Sequence, residues 1–343
     1  MEAELDALAA ETGFSGAVRA NDPTGVLLER AYGLAHRGYG IPNTPDTRFA
    51  TASGTKGLTA LVVMSLVEEG VLGLGTTARS LLGADLPLVA DDVTVEHLLA
   101  HRSGIGDYLD EEVEIDLSEY AMPVPVHELA ETEDYLAVLD GFETKFAAGT
   151  RFAYCNGGYV VLALIAERAA RTPFRDLVRD RVCEPAGMVD TEFLRSDALP
   201  GRTALGYLEI HGEVRSNVFH LPVRGTGDGG IYTTLADVSA LWQAFVDGRI
   251  VPPERVAEMT RPRSTTPHAR YGLGFWLDPE TEAIELIGGD AGVSFRSRHD
   301  PRTGLTASVV SNSTDGAWPV SRFLRERLFA AAANGAGPQP GDR

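Results

Sequence analysis

The sequence predicts an α/β fold in which a central antiparallel sheet, flanked by helices, is built from both chain ends and carries an inserted, mainly helical lobe. Three observations predict it. Short alternating runs occur near both termini, the stretch between them follows helical periodicity, and no internal repeat or clear linker divides the 343 residues. The simplest arrangement is a single domain over residues 1–335, with a sheet part at about 10–75 and 225–335 and a lobe at about 76–224. A cleft between sheet and lobe follows.

The elements are read in order. A short helix opens the chain at Leu5 to Glu11, and Ser15 to Ala20 and Gly25 to Tyr32 form an expected hairpin around the turn Asn21-Asp22-Pro23-Thr24-Gly25. From Ser53 the pattern changes to Leu58, Leu61, Val62, Met64, Leu66 and Val67, a mostly buried helix that stops at Glu68-Glu69-Gly70. Helical segments are expected near Thr94 to Ala100, Glu133 to Leu139, Gly158 to Ala170 and Phe174 to Val182. The helix Thr234 to Phe245 begins with Thr234-Leu235-Ala236-Asp237, close to a capping box but with Asp in place of Glu. Strands then return at Tyr271 to Leu277, Ala283 to Ile287, Val293 to His299 and Leu305 to Ser311, as an antiparallel meander, before a last helix at about Val320 to Ala332. The Gly/Pro-rich tail from Asn334, and residues 336–343 in particular, is expected to be disordered.

Composition narrows the function. A formal net charge of -19 repels nucleic-acid phosphates and anionic membrane surfaces, so neither is an expected partner. The most apolar runs are too short to span a bilayer, and the acidic N-terminus lacks the basic start of a secretory signal, so a cytoplasmic location is expected. Cys155 and Cys183 are read as reduced. The acidic runs at Asp110 to Asp116 and Glu131 to Asp134 read as solvated surface. Of 30 basic residues only Lys56 and Lys145 are lysines, and a lysine kept where arginine prevails points to an amine that must be able to lose its proton.

The sharpest constellation is Ser53-Gly54-Thr55-Lys56 at the start of the buried helix. A spacing of three puts the hydroxyl and the amine on one side of a helical turn, where a desolvated lysine can activate an otherwise poor nucleophile. Two lysines and sixteen serines in 343 residues produce such a spacing by chance about one tenth of the time, so corroboration is needed. Tyr154-Cys155-Asn156, just ahead of the Gly158 helix, supplies it: a phenol can pass protons beside a lysine, and an asparagine amide can orient a substrate amide or hold the lysine.

With these two motifs the sequence resembles the serine beta-lactamase and penicillin-binding-protein superfamily, in its class C-like branch of family VIII esterases and D-peptidases. Leu98-Leu99-Ala100-His101-Arg102-Ser103-Gly104-Ile105 resembles the Leu-Leu-x-His-x-Ser-Gly segment of that branch, and Gly227-Asp228-Gly229-Gly230-Ile231-Tyr232-Thr233-Thr234 resembles its glycine-rich approach to a late helix. The resemblance spans roughly residues 10–330 and implies a beta-lactamase-like fold and a serine hydrolase. It implies catalytic roles for Ser53, Lys56 and Tyr154, and an oxyanion hole from the backbone N–H groups of Ser53 and Gly289. Asn156, Leu286, Gly288 and Arg296 are the expected substrate-binding residues.

The third motif departs from the family. Where relatives carry Lys or His, a small residue and Gly, this chain has Leu286-Ile287-Gly288-Gly289, with Arg296 or Arg298 as possible replacements for the missing polar group. Carboxylate-bearing penicillins and D-Ala-D-Ala stems are therefore expected to be poorer substrates than a small-molecule ester. The expected activity is carboxylesterase-like, with a beta-lactamase, a D-amino-acid peptidase or amidase, an acyltransferase, and a non-catalytic binding protein as alternatives. No cofactor or metal is expected: His127-Glu128 has no second histidine at helical spacing, and the two cysteines stand far apart. Asp228 and Asp290, beside glycines, read as turn formers, and His101 and Ser103 as structural residues at a helix end.

Overall fold

The computed structural model describes residues 1–113, 116, 117, 119–266 and 269–329. Helix α1 (Glu2–Thr12) leads into strands β1 (Gly16–Asp22) and β2 (Gly25–Tyr32), followed by α2 (Thr55–Glu68), α3 (Asn156–Ala170) and α4 (Leu235–Val246). Six further strands follow: β3 (Ser264–Thr265), β4 (Arg270–Tyr271), β5 (Trp276–Leu277), β6 (Ile284–Asp290), β7 (Val293–Asp300) and β8 (Leu305–Ser311), then α5 (Ala317–Leu324). They form one eight-stranded sheet in the order β2-β1-β8-β7-β6-β5-β4-β3. Every pairing is antiparallel, and β1 from the N-terminus lies against β8 from the C-terminus. The sheet is thus closed by both chain ends, as its sequence pattern indicates.

Both faces of this sheet are covered, and strand alternation divides the side chains between them. Val18 and its partner Val309 enter a core with Leu5, Ala9, Val320 and Leu324 of α1 and α5. Their neighbours Ala17 and Val310, also paired, face the larger core built with α2, α3 and α4. Helix α2 is buried all round, from Thr55 to Leu66, which is why its sequence shows an apolar block rather than a stripe. Each large aliphatic side chain buried there contributes roughly 1.5–3 kcal/mol.

Local chemistry shifts some expected boundaries. The run Tyr271 to Leu277 is two short strands, because the chain reverses at Gly272–Phe275, with Gly274 at φ 92°. The capping box of α4 is half formed: Thr234 accepts from the Asp237 N–H at 3.1 Å, but the shorter Asp237 carboxylate accepts from Asp190 N and Thr191 Oγ1 instead of reaching back. The lobe is less helical than expected. It contains an antiparallel hairpin, Tyr207–Ile210 with Glu213–Ser216, turned by His211 and Gly212 at positive φ. The Ala332 end of the last helix and the tail lie outside the described residues. Among the described residues, no helix is long and apolar enough to cross a membrane.

Candidate active site

Ser53 lies in a single 3-10 turn, Ala52–Gly54, that feeds directly into α2. Ala52 is held at φ 45°, a left-handed conformation that costs an alanine roughly 1–2 kcal/mol. Its carbonyl accepts from Thr55 Oγ1 at 2.8 Å, and Gly54 N closes the turn on Thr51 O at 2.9 Å. One turn on, Lys56 is 2% exposed, and its amine donates to three uncharged oxygens: Ser53 Oγ at 2.9 Å, Asn156 Oδ1 at 2.8 Å and the Asp228 carbonyl at 2.8 Å. The residue before the one that supplies this carbonyl has no room for a side chain. A Cβ on Gly227 would stand 2.2 Å from the Tyr159 carbonyl of α3.

Asn156 is the first residue of α3 rather than a loop residue, and Cys155 is its N-cap, accepting from Gly158 N at 3.3 Å. The buried Asp107 carboxylate takes the N–H groups of Asn156 at 2.6 Å and Gly157 at 2.8 Å, where the helix dipole favours negative charge. The Asn156 amide donates to Leu109 O and Glu111 Oε1, so its oxygen is fixed on the lysine. Asn156 is 3% exposed and bonded at both ends of its amide, so the structure shows the lysine-holding use that the sequence allows for it.

Tyr154 closes the group. Its ring and Ser53 line the same cleft, and the Lys56 amine lies 5.0 Å from its ring centre. Burial pushes this phenol well above its ordinary value, with Glu111 adding to the effect and the Ser53 side chain opposing it. At neutral pH it is a protonated donor, not a phenolate. The ring is flanked by His101 at 4.2 Å and by Trp276, stacked at 5.8 Å.

A cleft of about 730 Å³ opens on this cluster, lined by Ser53, Tyr154, Trp276, Ile287, Gly288, Gly289 and Trp318 among others. Strand β6 forms one wall, and its alternation corrects an expectation. Leu286 is 3% exposed and faces α2, where a Cβ on Gly57 would lie 2.4 Å from its Cδ2, so it is a core residue and Ile287 takes the cleft side. Gly288 approaches the nucleophile turn so closely that a Cβ would sit 2.0 Å from Thr51 O and 2.9 Å from Ser53 N. Gly289, next along, is exposed in the cleft. Arg296, opposite Ile287, also lines it, but its guanidinium is paired with Glu285 at 2.6 Å. Arg298 is buried between Asp278 and Glu285 and lies outside the cleft.

The chain is similar to known proteins. The family model described as Beta-lactamase matches residues 1–332. The chain belongs to the beta-lactamase family. It is 33% identical over 260 residues to penicillin-binding protein 4 of Amycolatopsis lactamdurans, covering 72% of this chain and 64% of that protein. It is 30% identical over 273 residues to esterase EstB of Burkholderia gladioli, covering 69% of this chain and 66% of that one. The chain thus spans a little under two thirds of the length of these curated relatives. Among solved structures, it is similar to the penicillin binding protein from Bacillus halodurans, with a TM-score of 0.89 and 31% identity over 94% of this chain and 99% of that chain.

Several residues of this beta-lactamase-family site were not legible as functional. Glu111, inside an acidic run expected to be solvated, lines the cleft with Asp290 and Asp315. Glu114 and Ile115 of that run lie outside the described residues. Asp290 is more than a turn former: burial pushes its carboxyl up to about 6, opposed by the Ala291 N–H and by Lys56, and reinforced by Asp228 and Glu111. Asp228 contributes a backbone oxygen to Lys56, while its carboxylate accepts from the Tyr108 hydroxyl. No local spacing announces these roles; each arises from contacts over 45 residues or more, such as 172 for Asp228 and Lys56. Cys155 and Cys183 are both buried and unpaired. Among the described residues, no group of three or more His, Cys, Asp or Glu side chains is placed to hold a metal ion.

Proposed function

We propose that this protein is a serine hydrolase that is acylated on Ser53 by a small-molecule ester or amide, and that its activity is carboxylesterase-like. The observation that carries this reading is the Lys56 amine at 2.9 Å from the Ser53 hydroxyl and 5.0 Å from the ring centre of Tyr154, which lines the same cleft as Ser53. Ser53 Oγ attacks the carbonyl carbon while Lys56 takes its proton. The N–H groups of Ser53 and Gly289 receive the oxyanion, each worth about 3 kcal/mol in the transition state. Tyr154, protonated as its burial dictates, gives its proton to the leaving group and is reprotonated from Lys56. Water then attacks the acyl carbon while the same pair takes its proton, the bond from that carbon to Ser53 Oγ breaks, and the proton passes to Ser53 Oγ as the acid leaves.

The charge around the cleft supports the choice of substrate. Glu111, Asp290 and Asp315 line it, and its arginine is neutralised by Glu285. A substrate carboxylate meets repulsion there, so neutral esters fit better than penicillins or D-Ala-D-Ala stems. The same carboxylates favour a second reading, an amidase whose substrate carries a free amine. Both are tested by measuring kcat/KM for p-nitrophenyl esters of graded chain length, D-alanine p-nitroanilide and nitrocefin, with product analysis in the presence of added alcohols to detect acyl transfer. The esters are expected to lead nitrocefin by about 100-fold or more. Preference for the D-alanine anilide would favour the amidase, and preference for nitrocefin would refute the charge argument.

A further inference from the structure

We infer that His101 is a positioning residue for Tyr154: it clamps the backbone on both sides of that residue and stacks on its ring. The inference rests on the catalytic reading above and adds to it the residue that holds the phenol in place.

His101 follows the short helix Val95–Leu99, is 1% exposed, and adopts φ 53°. That left-handed conformation is uncommon outside glycine, and histidine is among the residues that adopt it most readily. Here it turns both the carbonyl and the side chain of one residue toward the strand-like segment 153–155. The His101 carbonyl accepts from Ala153 N at 2.9 Å, and His101 Nδ1 accepts from Cys155 N at 3.1 Å. Tyr154 lies between those two anchors. The clamp extends along the chain, with Arg102 O accepting from Gly149 N and Gly104 O from Lys145 N. The Cys155 anchor ends the clamp, since the next residue, Asn156, is held separately by the Asp107 carboxylate at 2.6 Å.

The ring completes the device. Its centre lies 4.2 Å from that of Tyr154, 4.7 Å from Tyr271 and 4.9 Å from Tyr159, and Phe152 stands edge-on at 5.9 Å. Because Nδ1 accepts a hydrogen bond, the proton of the neutral ring is on Nε2, which finds no hydrogen-bond partner among the described residues. Burial, with Lys56 adding to it, keeps this imidazole well below its ordinary value and therefore neutral. Phenylalanine would preserve the stack and lose the Cys155 anchor, whereas glutamine would preserve an acceptor and lose the stack.

The test is a double-mutant cycle on p-nitrophenyl ester turnover, with active sites titrated by a fluorophosphonate so that only folded enzyme is counted. H101Q is expected to lower kcat about 10- to 100-fold with KM within about threefold, because a displacement of about 1 Å at a reacting group has effects of that size. In a Y154F background the same substitution is expected to cost under about twofold, since its action runs through the phenol. An equal loss in both backgrounds, or no loss in either, would overturn the inference. H101F is run through the same cycle with the same expectation, and carries the test if H101Q yields no folded protein. A Y154F enzyme with wild-type turnover would refute the catalytic reading itself, which is distinguishable from an additive cycle.

Discussion

The two lysines of this chain occupy opposite environments. Lys145 sits at the surface against Asp110 at 2.8 Å and the Glu112 carboxylate; desolvation lowers its pKa, but hydrogen bonds and charge from these two acids outweigh it and leave it raised. Lys56 is buried, and all three of its hydrogen-bond acceptors are uncharged. Composition singles out both equally, as the only lysines among 30 basic residues. The partners separate them. A half-buried pair with carboxylates does what an arginine could do, whereas an amine beside an alcohol, an amide and a peptide carbonyl is placed to exchange a proton with the alcohol.

The comparison is broken most severely at its centre. Replacing Lys56 with Ala is expected to lower kcat/KM by about 10³-fold on a p-nitrophenyl ester, within the usual range for a general base. K145A is expected to stay within about twofold in the same assay. Next, N156D would place a carboxylate on the Lys56 amine and make its surroundings resemble those of Lys145. A loss of about 10²-fold is expected, larger than for N156A, because the new charge would bind the proton that the amine must release. Stopped-flow acylation rates at pH 7 read this directly; an N156D enzyme as fast as N156A would contradict it.

A smaller effect concerns the cap of α3. Burial pushes the Asp107 carboxyl from 3.8 up to about 6, against hydrogen bonds from Gly157, Asn156 and Leu109 and against Lys56. A carboxyl whose pKa is higher folded than unfolded stabilises the fold below the unfolded value, and that contribution is lost as pH rises through the folded one. Wild type should therefore lose stability relative to D107N between about pH 4 and 6. Urea midpoints across that range check it, and parallel curves for the two proteins would contradict it. Smallest of all, K145A is expected to cost at most about 1 kcal/mol, and less at high salt, by the same denaturation assay.

Much of the framework was legible because its causes are local. The β1–β2 hairpin, the block of apolar residues in α2 and the β6–β8 meander follow from periodicity and turn residues, and the Ser53–Lys56 spacing from one helical turn. The family resemblance correctly implied the fold. What escaped depends on which way a side chain points. Leu286 and Ile287 are adjacent apolar residues, and only the pleat of β6 decides that the second, not the first, meets the cleft. Asn156 offered two uses, and its bonds to Lys56 and Leu109 show the one that holds the lysine. The hairpin at Tyr207–Ser216 turns on His211-Gly212, a pair without the Asn-Gly or Asp-Gly signature of a tight reversal.

The most direct test of the account is intact-protein and peptide mass spectrometry after treatment with a fluorophosphonate. One adduct is predicted, on the peptide carrying Ser53, absent from S53A and forming about 10²-fold or more slowly in K56A. An adduct on another residue, or labelling of Ser53 at the same rate without Lys56, would contradict it.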